Sequence, residues 1–178
     1  MQKVKRSFYT YRNGVAADAL RKGGSPFKII FGLDIVTLRG ISNNIGYNEI
    51  LAKQLWHNSS TRCSMLLATM IMPPDNFNFN MALEWCSQVE STEVADLLCM
   101  NLLIKQTYIA DIVSKLFNCN GLQRYIALRL MLGALKKDII SSSFVSDYVS
   151  AIDSYSLTVN EKLIINQIYE ILPDVTTI

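Results

Sequence analysis

Histidine is nearly missing from this chain. His57 is the only one in 178 residues, and it stands at the end of a helical segment beside Asn58. One imidazole removes most zinc-ligand and Ser-His-Asp schemes. No P-loop, G-x-G-x-x-G, H-E-x-x-H or G-x-S-x-G pattern occurs, which leaves little basis for the common nucleotide-dependent and hydrolytic enzymes. There is also no C-x-x-C. Cys63, Cys86, Cys99 and Cys119 each fall within or at the end of an apolar helical segment, and read as small core residues rather than metal ligands. The longest apolar runs, residues 65–68 and 70–72 around Thr69, are too short to span a bilayer. The opening MQKVKRSFYTYR lacks the apolar centre of a signal peptide. These absences predict a cytoplasmic protein without membrane, metal or cofactor.

Charge is scarce and uneven. Only 18% of residues are charged and half are apolar, which suits one folded domain with a sizeable core. Residues 1–62 hold ten Lys/Arg against three Asp/Glu, a balance of +7, whereas the remainder stands at −5. Such asymmetry marks either an end that faces a polyanion or a solvated basic helix.

Helical signals account for nearly the whole chain. Residues 4–20 read as one basic helix with Phe8, Tyr9, Tyr11, Val15 and Leu20 on and around one side, closed by Gly23-Gly24-Ser25-Pro26. Residues 27–31 are β-prone but have no evident strand partner, so they read as an ordered connector before a helical pattern at 32–41. Helix pairs then recur: 48–57 with 60–72, 79–89 with 92–104, 108–117 with 122–136, and 143–152 with 159–172. Thr158-x-x-Glu161 has the form of a capping box. Pairs that begin roughly every thirty to thirty-five residues, with short inner turns, predict an all-α, HEAT-like repeat α-solenoid. It is read as a single domain, with basic helices and connector at 1–46 and four helix pairs at 47–178. An irregular helical bundle is the alternative.

Stacked pairs set each second helix beside the next, so equivalent positions align. Counting from each cap places Arg62, Asp96, Arg124 and Lys162 in one row along a groove. Asp96 is followed on its own face by Cys99, Met100 and Leu103, and Arg124 by Ala127, Leu128, Met131 and Leu135. A charge on an apolar face needs a partner, and the two are expected to meet across neighbouring repeats as an ion pair unless they serve a ligand.

Three segments, KQLWHNSSTRCSMLLATMI, ALEWCSQVESTEVADLLCMNLL and LQRYIALRLML, resemble successive repeats of the AlkD-like DNA alkylation repair proteins, over residues 49–137. That resemblance implies a HEAT-like solenoid gripping duplex DNA in a basic concave groove. It also implies N-glycosylase chemistry on cationic N3- and N7-alkylated purines, with no need to flip the lesion. The family's catalytic aspartate falls on Asp96, which would stabilise positive charge building on the sugar. Arg124 would orient that carboxylate or hold a phosphate. Lys3, Lys5, Arg6, Arg12, Arg21, Lys22, Arg39, Arg62 and Lys162 would supply phosphate contacts.

The sequence departs from the family where aromatic side chains shape the lesion pocket. Thr92 stands one turn before Asp96 in place of a tryptophan, and Asn166 and Tyr169 stand where a tryptophan and an arginine are expected. Lost aromatic faces weaken attraction for a cationic purine. The combined expectation is a monomeric DNA-binding relative, nucleoid-associated, with excision weak or lost. The competing one is an inactive scaffold that binds a protein partner on its concave face.

Overall fold

The computed structural model describes residues 1–152 and 157–172, and these are predominantly helical, with no strand among the described residues. The chain divides into two compact units, Met1–Asn78 and Phe79–Ile178.

The first unit begins with α1 (Gln2–Thr10) and α2 (Gly14–Lys22), which replace the single helix expected over 4–20. Asn13 is the cause. Its side chain accepts the Ala16 N–H at 3.1 Å, capping a new helix, and its own N–H donates to Phe31 O at 2.8 Å. Gly32 makes this turn possible. Its φ is +74°, and a Cβ there would collide with the Asn13 carbonyl oxygen and lie 2.7 Å from Ala17 N.

The β-prone stretch is a connector, tied down by one parallel bridge between Ile29 and Thr61. Ile29 N–H donates to Ser60 O at 2.9 Å and Arg62 N–H donates to Ile29 O at 3.1 Å. Asp34 then caps α3 (Ile35–Ile45), accepting the Thr37 N–H at 2.7 Å. Asn48 caps α4 (Glu49–Trp56). The second helix of that pair, α5 (Arg62–Ile71), is buried along nearly its full length and packs on both α3 and α4.

The second unit alternates first helices α6 (Phe79–Ser87), α8 (Ile109–Leu116) and α10 (Ser142–Ser150) with second helices α7 (Thr92–Asn101), α9 (Leu122–Leu135) and α11 (Val159–Ile171). A short 3₁₀ turn at Leu103–Lys105 follows α7, where the sequence reads as one helix to residue 104. The capping box is present: Thr158 Oγ1 accepts the Glu161 N–H and Glu161 accepts the Thr158 N–H.

Helix α9 organises this unit. Its apolar residues run around the whole circumference rather than along a stripe, because it is packed on all sides by α7, α8, α10 and α11. Ile126, Ala127, Leu128, Met131 and Ala134 are fully enclosed. The second helices α7, α9 and α11 thus lie side by side, as the pairing pattern requires.

Candidate nucleic-acid interface

Asp96 sits in the second turn of α7, whose start is capped by Ser91 Oγ on the Val94 N–H at 3.3 Å. Its side chain is 34% exposed, neither sealed in the stack nor fully solvated. Two groups of α9 hold it. Tyr125 Oη donates to Oδ1 at 3.0 Å and Arg129 Nε donates to the same oxygen at 2.9 Å. Their i, i+4 spacing sets both on the α9 face that meets α7. Burial, reinforced by the adjacent Asp96 carboxylate, pushes the Tyr125 hydroxyl well above the ordinary phenol range, so it remains a donor at any physiological pH.

Burial pushes the neighbouring Cys86 thiol up to about 12 and holds Cys99 well above the ordinary thiol range, with Cys86 and Asp96 adding to the effect on Cys99; both therefore favour the neutral thiol. Cys99 Sγ donates to Ile126 O at 3.7 Å.

Arg124 does not meet Asp96. It is 4% exposed and clasps Glu161 of α11 with Nε to Oε1 at 2.7 Å and Nη2 to Oε2 at 3.3 Å. Glu161 Oε2 also accepts the Thr158 N–H and hydroxyl, each at 2.7 Å. Burial alone would raise the Glu161 carboxyl, but the Arg124 guanidinium and the Thr158 donors outweigh it and hold the group below its usual range.

The expected row is therefore rebuilt. Glu161, not Lys162, faces its neighbouring second helix, and Lys162 points to solvent. Arg124 is committed to the fold rather than to a carboxylate at Asp96 or to a phosphate. Arg62 is likewise 4% exposed, with Nη1 donating to Leu33 O at 2.8 Å, so it anchors the connector instead of facing a ligand.

The remaining cations behave differently. Lys3, Lys5, Arg6, Arg12, Arg21, Lys22 and Arg39 are all exposed on the first unit. Arg21 is engaged locally, with Asp18 at 2.7 Å and Ile30 O at 3.3 Å. On the second unit, Arg129 joins Lys136 and Lys137 around a cavity of about 290 Å³ floored by Cys99, Ile104 and Leu130. Arg129, Lys136 and Lys137 were not anticipated from sequence. The signal for Arg129 was present: on a helix apolar all round, both arginines require a partner, and Tyr125-x-x-x-Arg129 marks a second polar face.

At the aromatic positions, Thr92 is half-buried, Asn166 is exposed and Tyr169 is 36% exposed.

By sequence, neither a family model nor a curated protein matches the chain. By structure, it aligns with a TM-score of 0.83 to a solved protein described as one of a new family related to the HEAT-like repeat DNA glycosylases with affinity for branched DNA structures. Its fold is that of the HEAT-like repeat proteins. The alignment covers 96% of this chain and 74% of that one at 16% identity, so the likeness carries architecture rather than chemistry. The all-α repeat architecture read from the helix pairs holds, and so does the resemblance to glycosylase-related repeat proteins. Within this HEAT-like repeat chain no described helix is long and apolar enough to cross a membrane.

Proposed function

We propose that this HEAT-like repeat protein binds DNA, branched DNA included, through its exposed cations. The observation that carries the reading is the state of α1 and its surroundings. Lys3, Lys5, Arg6 and Arg12 are exposed and form no ion pair among the described residues. Cations left without carboxylate partners on a folded surface are available to neutralise phosphates and release counterions. The structural relative with affinity for branched DNA supports the same choice over a protein-binding scaffold.

Excision of cationic alkylpurines is at most a weak accompaniment. Asp96 retains an exposed edge, and both of its hydrogen bonds from α9 converge on Oδ1. Such a carboxylate could stabilise positive charge on a sugar. Against this, Arg129 already neutralises it, and Thr92 and Asn166 offer no ring to hold a cationic base. The test is titration of fluorescent linear and three-way-branched duplexes, with release of 7-methylguanine assayed in parallel. Binding that is steep in salt with negligible release supports the proposal; absence of binding to either duplex refutes it.

A further inference from the structure

A cavity of about 370 Å³ opens between α1 and α3 of the first unit. Lys3, Ser7 and Tyr11 line it from α1 at successive i, i+4 positions, while Thr37, Gly40 and Asn44 line it from α3. Tyr11 continues the aromatic run of Phe8 and Tyr9, and it is 57% exposed just beyond the end of α1. A ring so placed adds little to the core and is open to solvent. From α3 the Asn44 amide supplies donors and an acceptor, while the hydroxyls of Ser7 and Thr37, which donate to Lys3 O and to Asp34, add acceptor lone pairs. Lys3 is the one charged group of the lining, and α1 contains Lys3, Lys5 and Arg6 with no carboxylate.

An aromatic wall, a mixed polar edge and a single cation match the parts of one nucleotide: base face, base edge and phosphate. The volume lies near the lower end of small-ligand sites, which run from about 300 Å³ upward, so it suits one such group and not a duplex. A base within a duplex cannot enter, because its faces are stacked and its edge is paired. The unpaired nucleotide at a DNA branch has both free.

Resting on the DNA-binding reading above, we infer that this cavity receives one unpaired nucleotide of a DNA strand. The base stacks on Tyr11 with its edge on Asn44, and Lys3 and the other α1 cations hold the adjoining phosphates. A free mononucleotide shares this chemistry and is separated from the strand by competition.

Two variants of the full chain test the inference. Tyr11→Ala removes the stacking face, with Tyr11→Phe as its rescue. Gly40→Leu fills the cavity: a Cβ at Gly40 meets nothing within 4 Å, and losing a mid-helix glycine favours α3. Binding is read by anisotropy on a linear duplex, on a fork carrying unpaired arms, and on the fork with millimolar deoxyadenosine monophosphate as competitor. Tyr11→Ala and Gly40→Leu are expected to weaken fork binding about ten- to a hundred-fold, leave the linear duplex unchanged, and spare Tyr11→Phe; the mononucleotide does not displace the fork. Equal effects on fork and duplex, no effect on either, or displacement by the mononucleotide would overturn it. If only the fork preference is insensitive, the DNA-binding reading stands; if the wild type binds neither probe, both fall.

Discussion

Arg124 and Glu161 form a bidentate pair between α9 and α11, at 2.7 and 3.3 Å, with side chains 4% and 1% exposed. The same glutamate closes the capping box of α11 through Thr158, so one carboxylate fixes both the start of a helix and its attachment to its neighbour. Breaking such a pair from one side removes the carboxylate that neutralises a buried guanidinium. Glu161→Gln is expected to destabilise the protein by about 3–5 kcal/mol. Urea unfolding at neutral pH measures it, and a change below about 1 kcal/mol would show that the pair is not structural.

That pair also sets a pH dependence. The folded carboxyl is held below its ordinary range, so its contribution is fully present above the ordinary glutamate pKa. It is lost as pH falls through the folded value. The stability gap between wild type and Glu161→Gln should therefore narrow on acidification below about pH 4. A gap that widened in acid would contradict the assignment.

Asp96 is a contrasting case, because it and Arg129 are each about one-third exposed. Asp96→Ala leaves Arg129 able to reach water, and the expected loss is below about 1 kcal/mol. Near-ultraviolet titration of Asp96→Asn should show the Tyr125 hydroxyl ionising at lower pH than in wild type, yet still above an ordinary phenol, since burial is the larger cause and remains. An unshifted titration would mean that the Tyr125–Asp96 bond is not formed in solution.

Arg62 and Lys5 separate folding from binding. Arg62→Ala should lower the melting temperature, because its guanidinium holds the Leu33 carbonyl inside the first unit. Lys5→Gln should leave the melting temperature unchanged and reduce the slope of log affinity against log salt by about 0.9 if it meets one phosphate. The reverse pattern would reassign both residues.

Where helices begin was written locally. Asn48, Ser91 and Thr158 each cap a second-unit or first-unit helix with their own side chain, a signal confined to four residues. The Asn13 cap carried the same signal, but the apolar and basic pattern running through 4–20 concealed it. Which second-helix charges meet was not legible. Register across helices depends on how far each backbone is displaced along its neighbour, and a shift of one position exchanged Lys162 for Glu161. On α9 the difficulty was sharper: a helix apolar all round gives no hint which neighbour each arginine faces. Of the candidate site, Asp96 was correctly read as a carboxylate needing a partner, but Tyr125 and Arg129 stood within a matched segment without being recognised as that partner. The exposed cations of α1 were legible because the helix itself carries no carboxylate, and among the described residues they form no ion pair.

The most direct test of the account is anisotropy of a branched duplex against the full chain at rising salt around physiological ionic strength. The account predicts tight binding at low salt, a steep linear fall of log affinity with log salt, and a shallower fall when Lys3, Lys5 and Arg6 are all changed to Gln. Binding that is absent, or that is indifferent to both salt and the triple substitution, would contradict it.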